Sequence, residues 1–202
     1  MNNGRDPIND LARGLSSFDE PFLVSLSGGY QLPELPHESW WLRGILGGWQ
    51  VNLITTWQAG RPVNEPDAYP AAGVNPGLGG QASMNQWFNT CTLSTTGVRE
   101  NCASSTQPVA WYVRPAFTLR TSSVLFPNIR YPRPMLMDAS LFKIFPPYER
   151  LKLEFRLEAF NVTNTTWFGP PGTTVATSSF GVITPSEVND PRYAQVAARL
   201  IF

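Results

Sequence analysis

Four charged side chains occupy alternate positions in one short segment of the chain: Lys152, Glu154, Arg156 and Glu158. Because successive side chains of a β-strand point to opposite faces, this spacing places all four on the same face of a strand. Such a row can line the path of a polar solute, or its members can form ion pairs with one another and with Arg199 on a neighbouring strand. Both interpretations require a strand with one charged side.

Cysteines and tryptophans stand out in the stretches between the predicted strands. Cys91 and Cys102 are 11 positions apart, and they are interpreted either as a disulfide that closes a small loop or as two free thiols. Three tryptophans, Trp87, Trp111 and Trp167, lie in the same stretches. Their rings could stack on a ligand such as a sugar, or they could pack among the loops themselves.

The sequence contains no pattern typical of catalysis or of metal binding. It has a single histidine, His37, beside Pro36 and Glu38, and we interpret it as a solvated turn residue. No nucleophile elbow, paired carboxylates or zinc-ligand spacing is present, so we predict no enzyme activity, no metal site and no cofactor. The 15 basic residues balance the 15 acidic ones, so we predict no nucleic-acid binding either.

The elements that must position these residues are β-strands. Apolar and polar residues alternate with period two in five segments, which predicts an all-β fold with strands near 21–32, 47–60, 135–145, 150–163 and 193–202. The apolar positions share one parity within each segment. We predict that the apolar face comprises Trp49, Val51, Leu53, Trp57, Leu151, Leu153, Phe155, Leu157, Val196 and Leu200. The charged row and Arg199 fall on the opposite face.

The lengths of strands and connections favour a membrane. A tilted strand needs about 9–11 residues to cross a bilayer, whereas strands in soluble proteins average about 5–6. Connections 33–46 and 146–149 are short, while 61–134 and 164–191 are long. Up-and-down strands would gather the short connections at one end, which is typical of outer-membrane barrels. The apolar face would then contact lipid and the charged face the lumen, with Lys143, an exception on the apolar side, reaching the headgroups.

The last segment ends on an aromatic residue. Tyr193, Val196, Ala198, Leu200 and Phe202 together form the predicted C-terminal signal for barrel assembly. A soluble β-sandwich would show the same alternation, with the apolar face turned toward a core, so that alternative stays open on periodicity alone.

The chain resembles the C-terminal part of TonB-dependent outer-membrane transporters of the Oar-like kind. The stretches that carry the resemblance are ARGLSSFDEPFLVSLSGGYQLP (12–33), ILGGWQVNLITTWQAGRPV (45–63), NQWFNT (85–90), MDASLFKIFPPYERLKLEFRLEAFNVTN (137–164), FGVIT (180–184) and VAARLIF (196–202). Their order and spacing cover most of the chain, and the combination is more specific than any single piece.

This resemblance implies the last five strands of a barrel of about twenty-two, in the bacterial outer membrane. It places the two short connections in the periplasm and the two long ones outside the cell. The implied partners are outer-membrane lipid, the barrel-assembly machinery, the rest of the barrel with its plug, TonB through that plug, and an unknown small solute or oligosaccharide. We expect the plug to lie outside this sequence, which would make the chain a fragment. The alternative function is a soluble, lectin-like carbohydrate-binding module.

Overall fold

A computed structural model describes residues 14–34, 39–148 and 151–202 of the chain. These residues form two compact units, which we call the sheet unit and the loop unit. The sheet unit comprises the described parts of Phe22–Gln58, Pro134–Thr166 and Asn189–Phe202. The loop unit comprises residues 14–21, Ala59–Arg133 and Trp167–Val188. The predicted long loops therefore form most of a unit of their own.

The described elements are mostly strands. In chain order they are β1 (Leu23–Gln31), helix α1 (Trp40–Leu46), β2 (Gln50–Gln58), β3 (Pro62–Asn64), β4 (Ala68–Pro70), a 3-10 turn (Gly79–Gln81), β5 (Thr92–Leu93), β6 (Arg99–Glu100), β7 (Trp111–Val113), β8 (Leu125–Arg130), β9 (Leu136–Tyr148), β10 (Leu151–Phe160) and β11 (Tyr193–Ile201). The five predicted strands correspond to β1, β2, β9, β10 and β11.

These five long strands form one antiparallel sheet in the order β1-β2-β9-β10-β11. Each strand pairs with its neighbour in this list, so the described part of the sheet is an up-and-down meander with β1 and β11 at its edges. The connections β2 to β9 and β10 to β11 leave the sheet at the same end, and most of their residues belong to the loop unit. The predicted fold class is therefore confirmed: the chain is all-β, with an open sheet.

The strand β10 ends at Phe160, earlier than the predicted boundary at 163, because the next residue leaves the extended conformation. Asn161 has φ 50° and so does Asn164. The side-chain amide of Asn161 donates to Thr165 O at 2.8 Å and to Asp190 O at 3.1 Å. Asparagine tolerates positive φ better than most residues and bonds well to a turn backbone. The motif FNVTN is thus the stop signal of β10.

The two short connections differ from simple turns. Residues 40–46 form the helix α1, where only a turn was predicted. Strand β9 continues to Tyr148, past the predicted end at 145, and its pairing with β10 shifts register between Leu151 and Leu153. Pro146 and Pro147 have no N–H to donate, which explains why the regular ladder is lost there. Residues 149 and 150, in the predicted turn, lie outside the described part of the chain, as does His37.

The loop unit has its own hydrophobic core. Short strands β3 and β8 pair with each other, and β4, β7, β5 and β6 form a second small sheet. The fully or largely buried residues between them are Val63, Ala68, Phe88, Ala110, Trp111, Ile129, Val175 and Phe180. A core of this kind restrains chain segments that a count of glycines and prolines had predicted to be loop.

Two ion pairs hold residues 14–21 within the loop unit. Arg130 Nη2 lies 2.6 Å from Asp19 Oδ2, and Arg61 Nε lies 2.9 Å from Glu20 Oε1. Arg130 Nη1 also donates to Gly60 O at 3.0 Å. Gly60 itself is required here, since a Cβ would lie 1.8 Å from a carbonyl oxygen of the facing segment.

Candidate functional site

The sheet has one continuous apolar face. In the register of the sheet, odd residues of β2, β9 and β10 align with even residues of β1 and β11. The apolar residues that share this face include Val24, Leu26, Tyr30, Val51, Leu53, Trp57, Met137, Ala139, Leu141, Phe145, Leu153, Phe155, Leu157, Ala159, Ala194, Val196, Ala198 and Leu200. Many are exposed within this chain, including Trp57 at 54% and Val196 at 65%. An exposed apolar surface of this extent marks a contact with membrane or protein.

The predicted members of this face come together, with one departure. Trp49 precedes β2, and its ring contacts the Phe155 ring with centroids 6.1 Å apart, which places it beside the same face. Trp57, near the other end of β2, contacts Phe22 at 5.0 Å. The two tryptophans therefore lie near opposite ends of the face. Leu151 departs from the pattern because it pairs with Tyr148 at the register shift.

The opposite face carries the charged row. Arg156 bridges two carboxylates along its own strand, with 2.7 Å from Nη2 to Glu154 Oε1 and 3.4 Å from Nη1 to Glu158 Oε1. Gln195 of β11 also donates to Glu158 Oε2. Arg199 lies directly opposite Glu154 in the register, and both line a shallow cavity of about 230 Å³. Lys152, opposite Ile201, lies at the end of the row.

The ion pairs of this row run mainly along the strand rather than across it. Exposed pairs of this kind are screened by solvent, so they add little to stability. The pairs matter more for the chemistry of this face, because they fix hydrogen-bond donors and acceptors on one side of a strand whose other side is apolar. The arrangement can hold water and polar solutes along that side.

The residues of the predicted assembly signal do not all share one face. Val196, Ala198 and Leu200 lie on the apolar face. Tyr193 has the opposite parity and stacks on Phe160, with ring centroids 4.7 Å apart. Phe202 follows the last strand residue and is 98% exposed. Tyr193 therefore belongs to the charged side of the sheet and not to its apolar surface.

Lys143 is the charged exception on the apolar face, and its surroundings differ from the prediction. Its ammonium donates to Gly44 O at 2.5 Å and also to Gly47 O. The Nζ atom lies 5.8 Å from the ring centroid of Trp49 and 5.0 Å from that of Phe145. The side chain is buried, and both of its bonds are to carbonyl oxygens at the end of α1, so its charge is satisfied within the protein.

Trp111 of the loop unit cannot contact a ligand, contrary to one of the two interpretations of its ring. It is fully buried, and its ring centroid lies 5.3 Å from Phe126 and 5.9 Å from Phe88. Its indole N–H donates to Asn89 O at 2.6 Å, which satisfies the polar edge inside the core. A large ring with its N–H bonded is well suited to a core position.

The other two loop tryptophans are also engaged by the protein. Trp87 is partly buried against the core, and its indole N–H donates to Arg130 O at 2.7 Å. Trp167 is partly buried, with the guanidinium carbon of Arg133 4.9 Å from its ring centroid. A face covered by a guanidinium is not open to a sugar. The structure therefore places all three tryptophans in packing contacts.

Cys91 and Cys102 are joined by a disulfide in the loop unit, with 2.00 Å between the sulfur atoms. Cys91 is fully buried beside the aromatic core, and Cys102 lies next to the short strand β6. The bond links the residue before β5 to the segment after β6, so the hairpin of these two strands is closed covalently. By a chain-entropy argument, a disulfide that closes a loop of this size raises the free energy of unfolding by about 3 kcal/mol.

A polar cavity of about 350 Å³ opens in the loop unit. Its lining residues are Asn64, Glu65, Pro66, Asp67, Arg114, Arg120, Val124, Thr173 and Thr174. Arg114 forms an ion pair with Asp67, and the Ser122 hydroxyl donates to Glu65. Guanidinium, carboxylate, amide and hydroxyl groups together can bind a polar ligand through several hydrogen bonds.

Burial raises the pKa of Glu65 to about 7, from an ordinary value of 4.5. Asp67 adds to the rise, whereas Arg114 and Arg120 oppose it. Below this pH, Glu65 is neutral, and the charges of the two arginines exceed that of Asp67. Above it, two carboxylates balance two guanidinium groups. The charge of the cavity therefore changes near neutral pH.

Sequence reasoning did not find this cavity. Glu65 and Arg120 are far apart along the chain, and no periodic pattern connects them. The sequence contains only a weak signal for the cavity. Glu65 and Asp67 flank Pro66, and two charged residues so close together are uncommon in a sequence with only 15% charged residues.

In residues 14–34, 39–148 and 151–202, no three His, Cys, Asp or Glu side chains gather as a metal site would require. No helix there has the length and apolar character needed to cross a bilayer.

The long antiparallel strands, with one apolar and one charged face, define a class of protein: a β-barrel wall of the membrane type. A family model described as an outer membrane beta barrel domain matches residues 1–195. The chain therefore belongs to the outer-membrane β-barrel family and is located in the outer membrane. No curated protein and no solved structure matches the chain.

Proposed function

We propose that the chain is the C-terminal barrel segment of a TonB-dependent, Oar-like transporter, and that it supplies barrel wall and external loops for solute uptake. The observation that carries this proposal is the pairing of a two-faced sheet with a separately folded loop unit. A barrel wall alone needs only short connections, whereas a receptor needs an ordered surface that contacts solute. The cavity between Glu65 and Arg114 provides polar groups on such a surface.

The apolar face would contact outer-membrane lipid, and the charged face would line the lumen. The edges of the described sheet, β1 and β11, would pair with the rest of the barrel, since an open edge in a membrane leaves backbone groups unsatisfied. The segment from Val196 to Phe202 would be recognised by the barrel-assembly machinery. TonB would act through a plug that lies outside these residues.

The soluble, lectin-like alternative receives less support. It required tryptophan rings that are free to stack on sugar, yet Trp111 is buried and Trp167 is covered by Arg133. It also required the apolar face to be covered by a core, whereas the chain belongs to an outer-membrane family.

Uptake in the native host tests this function. A strain lacking the coding region of this chain should fail to grow on at least one oligosaccharide of a defined panel as sole carbon source. Wild-type DNA should restore growth, and a protonophore should stop uptake of the labelled sugar, since TonB-dependent transport is energised. The double variant Arg114→Ala, Arg120→Ala should restore membrane assembly but not growth. Unchanged growth on every sugar, or uptake that persists with the protonophore, would contradict the proposal.

A further inference from the structure

The helix α1 presents apolar side chains that no other described part of the sheet unit covers. Trp41, Ile45 and Leu46 are 51%, 57% and 55% exposed. At 3.6 residues per turn these three positions span about 140° of the helix, so they lie within one half of its circumference. The helix stands in the connection between β1 and β2, outside the ladder of strands.

Two side chains of the apolar face attach the end of α1 to the sheet. The indole N–H of Trp49 donates to Ile45 O at 2.7 Å. From the neighbouring strand β9, Lys143 donates to Gly44 O and Gly47 O. These bonds use carbonyl groups at the C-terminal end of the helix, which lack helical partners and attract a cation.

Gly48 lets the chain turn from α1 into β2 at this point. It has φ 69°, a left-handed conformation that glycine adopts without strain. The turn brings Trp49 under the end of the helix, where its ring contacts Phe145 and Phe155 of the apolar face at 6.3 Å and 6.1 Å. The helix end and the apolar face are therefore continuous through one aromatic cluster.

We infer that α1 is an interfacial helix, which lies along the bilayer surface with Trp41, Ile45 and Leu46 in the boundary between headgroups and acyl chains. Lipid is the occupant because the cluster joins α1 directly to the face that contacts lipid. Tryptophan is enriched at this boundary, and short apolar helix faces insert there by about 5–10 Å. Lys143 acts as a tether: it holds α1 at the surface from within the sheet. This inference goes beyond the proposed transport function and does not depend on the solute.

Depth-dependent fluorescence quenching tests the position of the helix. The variant Ile45→Cys is labelled with an environment-sensitive maleimide, which the two bonded native cysteines do not take up. Val196→Cys on the apolar face and Phe117→Cys, at a fully exposed position of the loop unit, serve as controls. Full-length protein from the outer-membrane fraction is placed in phosphatidylcholine vesicles that contain lipid with a nitroxide either near the headgroup or deep in the chain.

The Ile45 probe should be quenched more by the shallow nitroxide than by the deep one. The Val196 probe should show the reverse order, and the Phe117 probe should respond to aqueous iodide only. An Ile45 probe that iodide quenches and neither lipid does, in vesicles where Val196 is quenched by lipid, would overturn the inference.

The tether is tested separately. Lys143→Met keeps an unbranched side chain, one atom shorter, but removes its donors, and it should lower shallow quenching at Ile45 by about twofold or more as the helix leaves the boundary. Lys143→Arg keeps the donors and should preserve the quenching, and Val196 should be unaffected in both variants. Equal quenching at Ile45 in Lys143→Met and in the unsubstituted chain would overturn the tethering role.

Discussion

Lysine on the apolar face should prevent membrane assembly, whereas lysine at the adjacent position of the same strand should not. Val196 and Gln195 are neighbours in β11 on opposite faces of the sheet. Val196 pairs with Leu157 and is 65% exposed, in the direction that lipid would occupy. Gln195 pairs with Glu158 and donates to its carboxylate. The two positions are adjacent in the same strand and at nearly the same depth, so the main difference between them is the face.

The size of the effect follows from the cost of a charge in lipid. Lysine near the middle of a membrane-spanning strand costs about 2–4 kcal/mol, so Val196→Lys should lower the ratio of assembled to unassembled chain by roughly 30- to 1,000-fold. Gln195→Lys places an ammonium beside the carboxylate of Glu158. A surface pair of that kind changes stability by about 0.5 kcal/mol or less.

Both variants can be measured by the amount of chain in the urea-washed outer-membrane fraction, with the same export signal and the same total expression. Val196→Lys should be nearly absent from that fraction, and Gln195→Lys should match the unsubstituted chain. Equal recovery of the two variants, or greater loss for Gln195→Lys, would refute the assignment of the faces. The adjacent pair excludes a general effect of lysine on β11, because both variants introduce the same residue.

Three further predictions concern the loop unit. Trp111→Ala should destabilise it by about 3–5 kcal/mol, whereas exposed Tyr112→Ala should cost about 1 kcal/mol or less, as measured by protease resistance in urea. Gly60→Ala should also lower that resistance, because a Cβ there lies 1.8 Å from a carbonyl oxygen, while Gly80→Ala meets open space and should not. Because burial raises the pKa of Glu65 to about 7, the folded unit binds more protons than the unfolded chain between 4.5 and that value. Its stability should therefore fall as pH rises through this window, by on the order of 1 kcal/mol after allowance for partial exposure, and Glu65→Gln should abolish the change in urea midpoints. Resistance that is independent of pH in the unsubstituted chain would contradict this.

The sequence predicted the strands because the alternation that marks a strand lies within the residues of that strand. In β10, alternation from Leu151 to Ala159 separates five apolar from four charged residues, and a period of two needs no knowledge of the partner strand. The short connections predicted the β1-β2 and β9-β10 pairings, since short connections join antiparallel neighbours, and the other two pairings were expected from an up-and-down barrel. The assignment of the faces to lipid and lumen stays a prediction.

The loop unit illustrates what local sequence leaves open. Phe88, Trp111 and Phe180 lie far apart along the chain, yet the Phe88 ring contacts both others, at 5.9 Å and 5.3 Å. No periodicity marks them, because each belongs to a short strand or an irregular segment. Their burial therefore depends on contacts between distant segments, which is why the sequence left both interpretations of Trp111 open.

Lys143 shows the same division at the scale of one residue. Its parity placed it correctly on the apolar face, and β-strand geometry alone determined that. Its ammonium donates a hydrogen bond to a carbonyl group of α1, a helix about a hundred residues earlier in the chain, and strand geometry could not predict that partner. Sequence thus determined which side of the sheet each side chain occupies, while tertiary structure decided which groups meet there, because a buried charge or ring is satisfied by whichever partners folding brings near it.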